Sequence, residues 1–568
     1  MAGTGSQITR YYGEFRGLDL RGAECNLNRS PDALNVWRNY KNLAAIETRP
    51  SMKTIWADAN VGFNPDLYPL NILFLGETLF MIANNGIYKL VDGVIQRLGD
   101  DISPFSSVNY YYVFNDSLYF FNAYGFYKID EKSDSYTRVE AYVPTTSIGR
   151  KPEGGGKTHE DVNLLSSYRI NTFMGDGQST KYYLDSKNIL GIIEVYVNDE
   201  KITDYTVSPI EGSVTFAKVP QKPLTDGQDN ISIKYLKFVC DGSNNPITNC
   251  TVATIFDNRI FVSGNPQYPN RVWHSSLNNP TYFSDLDYYD DGTEKAKVRA
   301  LVPGNNALWV LKEPSDSGDS IYYHMPTLDE TYGKIYPSSH SSVSLGCVGK
   351  GVNFNDDIMF ASESGFVGMN GDVTTEQAVA HRSSLVDRVL TANPKYKDMT
   401  LVEWQGYLLV FIDNECYLAD SRAVLQNEDH LEYEWYHWEF DYVITCVAVK
   451  NDVLYLGTLD GRICTLTGDG AINSYWCTPK DKFSAPNMVK STNKKSFVVE
   501  AEGDVDISIK TNNDQEFQPI ASYSDIKDHI VCKLKAKKFK DLQIKFASNT
   551  RFRLESVTLE AIVGGYLK

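Results

Sequence analysis

The chain has 568 residues, of which 42% are hydrophobic and 22% charged, and a net charge of −17. That balance excludes a disordered chain and argues against a tight nucleic-acid binder, which needs a basic footprint. The length exceeds one ordinary domain, and no apolar run reaches the ~18 residues of a membrane-spanning helix.

The opening residues, MAGTGSQITRYYGEF, lack the apolar core of a secretion signal, so the sequence predicts a protein made in a cytoplasm and not exported. Three stretches of 1–56 stand out: YYGEFRGLD from Tyr11, NRSPDALNVW from Asn28 and ETRP from Glu47. Ser30-Pro31-Asp32 predicts a capped turn with proline at the first helical position, after which Val36-Trp37 runs out extended.

From residue 73 onward one cassette recurs: strand, tight Asx/Gly turn, strand, second turn, strand. Copies begin at Leu73, Tyr110, Val252, Ala300, Val352, Leu401 and Ile444. From the third copy on, the turns fall about 46–51 residues apart, the period of a β-propeller with several strands per unit. Pairs such as Asn115-Asp116, Asp257-Asn258 and Asn451-Asp452 suit two-residue hairpin turns, because short Asx side chains tolerate left-handed backbone. Residues 44–56 predict a strand that joins the last blade and leaves no open sheet edge.

Two regions break the period. Residues 158–238 hold several short alternating strands, which predicts a small β-sandwich inserted in the propeller. Residues 484–568 hold at least five more, which predicts a C-terminal β-sandwich. The expected fold is therefore all-β: a propeller of six or seven blades over 57–157 and 239–483, with an inserted and a C-terminal sandwich. Residues 1–56 then form an arm with a ring-closing strand. The best helix candidate is 380–393, which must stop near Pro394.

Chemistry-bearing motifs are few. The nine cysteines lie mostly in strand patterns and read as reduced core residues; Cys240 and Cys250, which flank DGSNNPITN, read as free in preference to bridged. The run DLDYYDD from Asp285 reads as a solvated loop in preference to a cation site, and Gly175-Asp176-Gly177 as a turn. His340, His381, His430 and His437 lack metal-ligand spacing, and no nucleophile elbow or phosphate loop is present. Glu363, Asp413 and Asp460 are the carboxylates a propeller glycan hydrolase would draw on. No catalytic, cofactor or metal residues are assigned. Lys533, Lys535, Lys537, Lys538 and Lys540 form one basic strip in an acidic chain. It suits an acidic neighbour, DNA phosphate, or a lysine-guarded edge strand.

The stretches FRGLD, NRSPDALN and ETRP, together with NRVWHSSLNNPTYF from Asn270, resemble bacteriophage tail proteins of the packaged-DNA stabilisation or tail-nozzle family. The positions that carry this are Arg16, Arg29, Ser30, Pro31, Asp32, Arg49, Arg271 and Trp273. The resemblance implies a β-propeller subunit of a ring, of six copies, below the portal and adaptor of the head-tail connector. It further implies contact with tail fibres or tail-tip proteins, transient passage of double-stranded DNA, and residence in the virion after synthesis in the host bacterial cytoplasm. It implies a structural protein and no enzyme. The rival expectation is a carbohydrate-binding or adhesive propeller, or a propeller glycan hydrolase.

Overall fold

A computed structural model describes residues 6–39, 45–62, 65–98, 110–122, 125–238, 245–293, 296–331, 333–341, 345–369, 379–427, 430–512, 514–534 and 537–566. Among them, seven four-stranded antiparallel sheets recur, and these are the blades of a β-propeller. They span 69–97, 110–138, 252–290, 298–340, 351–381, 400–439 and 444–468, the last completed by Ser51–Ala57. The arm strand Ser51–Ala57 pairs antiparallel with Arg462–Gly468, as the sequence predicts.

Turn chemistry explains why each cassette doubles back. The link between first and second strands is two residues long in every blade. In six of them both residues have positive φ: Asn115-Asp116, Asp257-Asn258, Asn305-Asn306, Asn355-Asp356, Gln405-Gly406 and Asn451-Asp452. That is the type I′ turn, whose twist matches the right-handed twist of the strands it joins. Asn and Asp tolerate this backbone because their short side chains bond locally.

The chain divides into two compact units, Met1–Arg97 with Cys347–Lys568, and Leu98–Gly346. In the first unit the seventh blade meets the first. Thr445 Oγ1 donates to the Pro69 carbonyl at 2.5 Å, Lys450 Nζ to the Gly76 carbonyl at 2.6 Å, and the Phe74 and Tyr455 rings lie 4.9 Å apart. The last sheet in sequence thus packs on the earliest one, as ring closure requires. The second unit holds the second, third and fourth blades and the insert.

The insert is a small sandwich, but it begins earlier than its periodicity suggests. Thr145–Arg150 pairs parallel with Tyr168–Phe173 and enters a six-stranded sheet that faces the three strands Lys181–Tyr183, Tyr205–Ser208 and Ser213–Phe216. Phe173, Tyr182, Val195, Val214, Ile233 and Tyr235 fill its core. The insert's sheet therefore starts near 145, not 158; a parallel partner 23–25 residues on leaves no hairpin signal in the sequence. Between these strands the chain returns to the third blade. There buried Asn163 donates to the carbonyls of Tyr142 and Thr281 at 2.7 and 2.8 Å and accepts from the amides of Leu165 and Phe283. Gly175-Asp176-Gly177 is a turn, with Asp176 Oδ1 accepting from the amides of Gln178 and Ser179.

The C-terminal sandwich is not confined to 484–568. Its sheet of eleven strands includes Ser474–Cys477 and four arm strands: Ser6–Tyr12, Ala33–Leu34, Val36–Trp37 and Ile46–Thr48. Ser6–Tyr12 pairs along Val557–Val563, so the two ends of the chain share one sheet. Met488–Thr511 pairs in turn with five other strands, so one hydrogen-bonded sheet folds over itself around Phe497, Val499, Ile507, Phe546 and Leu554.

Two local expectations fail. Residues 380–393 are not one helix: Val379–His381 is the fourth strand of the fifth blade, and only Asp387–Leu390 is helical. Sheet pairing outbids a spacing that one helical turn already satisfies. Ser30-Pro31-Asp32 caps no helix either. The Asp32 amide donates to Ser30 Oγ, and the chain passes straight into strand Ala33–Leu34.

Candidate functional surface

Most residues of the N-terminal signature are internal. They form a buckle that fastens the arm between the sixth blade and the C-terminal sheet, all within the first unit. Gly17 has φ +30°, and a Cβ there would stand 2.4 Å from the Trp435 carbonyl oxygen, so only glycine lets the arm lie this close to the blade. Leu18 N then donates to that carbonyl at 2.7 Å. Arg29 reaches Glu434 at 2.8 Å, a carboxylate whose side chain is 1% exposed. Ser30 Oγ lies 2.7 Å from the carbonyl oxygens of both Asp32 and Cys477, which share its one hydrogen, and Tyr475 OH donates to Asp32 Oδ1 at 2.8 Å. Pro31 is half-buried and Asp32 exposed.

Arg49 closes the buckle. Its guanidinium donates to Asn35 Oδ1 at 2.8 Å and to the carbonyls of Glu439 and Pro50 at 2.7 and 2.9 Å, and lies 4.4 Å over the Phe440 ring. Burial pushes it down to about 10, partly offset by Asp441. Asn35, at φ +56°, turns the chain at this point. Trp37 stacks on Trp404 at 5.5 Å and meets Trp438 edge-on at 5.4 Å. Arg16 is the exception: its side chain is 45% exposed and only 3.9 Å from Glu14.

In the second unit Arg271 makes a forked pair with Asp290 at 2.7 and 2.8 Å and lies 3.8 Å over Tyr288, with Trp273 buried beside it. The run 285–291 is thus no single loop. Asp291 is fully buried, with His324 Nε2 at 3.0 Å and Ser338 Oγ at 2.5 Å. Burial alone would lower the His324 imidazole; the Asp291 carboxylate outweighs it and holds the ring above its ordinary range. His274, buried among Phe261, Tyr289 and Tyr336, is pushed down to about 4 by desolvation.

Asp287 behaves differently. Burial pushes its carboxyl up to about 6; Arg259 pulls it down, while Asp161 and Asp285 add to the rise. A carboxyl raised in the folded state binds its proton there first, so it costs stability as pH climbs through the window from about 4 to 6. Asp287→Asn is expected to raise stability at neutral pH by on the order of 1 kcal/mol after allowance for solvent screening, with no gain at pH ~4. Urea denaturation of variant and parent at both pH values checks this, because the histidines cancel in the difference.

The basic strip is part of the sandwich. Lys533, Lys538 and Lys540 are exposed, Leu534 and Phe539 buried, and strand Lys537–Phe539 pairs with Lys490–Ser491. Lys535 and the Lys537 side chain lie outside the described residues. Of the carboxylates set aside for glycan chemistry, Asp460 is held by Arg462 at 2.8 Å and Thr458 Oγ1 at 2.5 Å. Among the described residues no three His, Cys, Asp or Glu side chains are grouped to hold a metal ion. Cys250, Cys446 and Cys464 are free and buried; Cys240 lies outside the described residues. A hollow of about 570 Å³ in the insert is lined by residues of the hairpin at 197–204 together with Phe216, Lys218 and Pro220.

What the sequence does not single out are the distant acceptors Glu434 and Glu439, which carry no local signal.

No family model matches the chain, and no curated protein matches it. Among solved structures it is similar to BamB from Moraxella catarrhalis, at 11% identity over 74% of this chain and 97% of that one, with a TM-score of 0.34. It is similar to the WD40 domain of Neurospora crassa Pan2, at 8% identity over 74% and 94%, with a TM-score of 0.33. The computationally designed Ika8 protein matches at 10% identity over 73% and 99%, also at 0.33. Likenesses this loose transfer no function, and the fold rests on the seven sheets described above.

Proposed function

We propose that this chain is a structural subunit of a bacteriophage tail: one copy in a nozzle or tail-tube ring of six below the portal and adaptor. The ring retains packaged double-stranded DNA and conducts it during ejection. The observation that carries this reading is how the signature residues are used. Gly17, Arg29, Ser30, Asn35 and Arg49 all bind the arm to blade and C-terminal sheet. They serve cohesion, which a wall subunit under the load of packaged DNA requires. The net charge of −17 suits a conduit, since a negative wall repels a polyanion and keeps its contacts transient. Tail fibres or tail-tip proteins are the expected partners at the distal end, and the chain works without a cofactor, in the virion.

Depletion of the protein during phage assembly tests the reading. Heads are expected to fill with DNA and then lose it, with particles that lack the distal tail on electron micrographs. Depleted particles that hold their genomes and eject them normally would overturn it.

A further inference from the structure

The third and fourth blades, both in the second unit, are tied together by a buried charge network. Asp291 follows Tyr288–Asp290, the last strand of the third blade, and His324 ends Ile321–His324, the third strand of the fourth. Both side chains are fully buried. His324 Nε2 lies 3.0 Å from Asp291 Oδ2, and His324 Nδ1 lies 2.8 Å from the Tyr336 carbonyl oxygen. The carbonyl can only accept, and the carboxylate already accepts at its other oxygen, from Ser338 Oγ at 2.5 Å. A neutral imidazole has one donor nitrogen and one acceptor, so it cannot serve two acceptors at once; an imidazolium can. The geometry therefore calls for a second proton on the ring.

The neighbouring charges come from every strand around it. Lys312, on the second strand of the fourth blade and fully buried, donates to the Asp291 main-chain carbonyl at 2.8 Å. It also faces Asp319 at 3.4 Å, whose other oxygen takes the Tyr322 hydroxyl. His340 packs on the Tyr322 ring at 5.0 Å, with Nε2 3.3 Å from the Gly318 carbonyl. Tyr289 stands between the two buried imidazoles, 5.0 Å from His324 and 5.8 Å from His274. Desolvation, with Arg259 and His324 adding to it, keeps His274 neutral, so the joint holds one charged ring and one uncharged.

We propose that protonated His324 is a clamp that fastens the fourth blade to the third and lets go when the proton leaves. Deprotonation turns a bare ring nitrogen towards either the Tyr336 carbonyl or the Asp291 carboxylate, and a buried carboxylate that has lost its cation is costly. The apolar packing of Phe261, Val272, Leu308 and Val310 does not depend on pH, so the clamp opens without parting the blades. Desolvation alone would lower the ring below its ordinary 6.5; the Asp291 bond and charge and the Tyr336 carbonyl outweigh it and hold it higher. The clamp is then fully closed below about 6.5 and is lost as pH rises through the folded value. The inference stands apart from the tail reading.

The test is hydrogen exchange read by mass spectrometry on the full chain at about pH 6 and about pH 9, with rates corrected for the intrinsic effect of pH on exchange. In the wild type, peptides covering 288–291 and 321–324 are expected to lose protection at least about threefold between the two, while 407–412 in the sixth blade keeps its own. His324→Gln carries no titrating proton and is expected to show the weaker protection at both pH values. A ring with a merely structural role would instead leave wild type above the variant by the same factor at both, and that result would overturn the proposal. Wild-type protection that does not change with pH would overturn it equally, as would a pH dependence that survives in His324→Gln. Should that variant fail to fold, Asp291→Asn keeps the shape of the acid without its charge and is expected to abolish the loss of protection between the two pH values; an undiminished loss would count against the clamp.

Discussion

Replacing Trp37 with alanine is expected to destabilise the first unit by about 3–5 kcal/mol, the largest loss of any arm substitution. Trp37 is 2% exposed and packs in one cluster with Trp404, Tyr407 and Trp438 of the sixth blade. Truncation removes the transfer free energy of a large aromatic, leaves a cavity and forfeits two favourable ring geometries. Since the cluster joins arm to blade, the strand Val36–Trp37 also loses its anchor against Glu47–Thr48. Chemical denaturation followed by tryptophan fluorescence measures the loss, and limited proteolysis should show cleavage within 13–37 that the parent resists. A shift under ~1 kcal/mol would mean the arm is an appendage and not a buckle.

The second large effect lies in the fifth blade. Arg382 and Asp357 are both buried, with Nε to Oδ2 at 2.6 Å, and Arg382 NH1 donates to the Ala380 carbonyl at 3.2 Å. Gly368 leaves room for the pair, since a Cβ there would stand 2.4 Å from Asp357 Oδ2 and 2.5 Å from Arg382 Nε. Asp357→Ala strands a buried guanidinium and is expected to cost about 3–5 kcal/mol. The paired change Asp357→Leu/Arg382→Met removes both charges and is expected to recover most of it, because an ion pair in such a place is worth little more than good apolar packing. Thermal unfolding of the three proteins decides the matter. A double variant as unstable as the single one would show that the pair holds the blade by geometry apolar groups cannot replace.

The blades were legible because each is local. A cassette needs only alternating residues and two-residue turns, and both are written in consecutive positions, as at Val113 to Ser117 or Lys450 to Val453. The ring-closing strand was legible for a related reason, since an arm of strand character must pair somewhere. The sandwiches were legible in kind but not in extent. Ser6–Tyr12 lies some 550 residues from Phe552–Tyr566 in sequence, and no short-range pattern records their pairing. The same holds for the buckle. Arg29 and Glu434 are 405 residues apart, and the sequence shows two charged residues in aromatic surroundings without naming each as the other's partner. The acidic run at 285–291 is no solvated loop, because strand Tyr288–Asp290 sends Asp290 outward to Arg271 and the next residue, Asp291, inward to His324. The helix at 380–393 failed because an apolar spacing of three and four also fits a strand end followed by one turn.

The most direct measurement of the tail reading is an electron-microscopic class average of the purified full chain mixed with its head-tail connector. Closed rings with a central opening wide enough for duplex DNA, six copies to a ring, seated on the connector, are the expected result. Single particles that remain monomeric with and without the connector, at low salt and at a concentration above that in an infected cell, would contradict it.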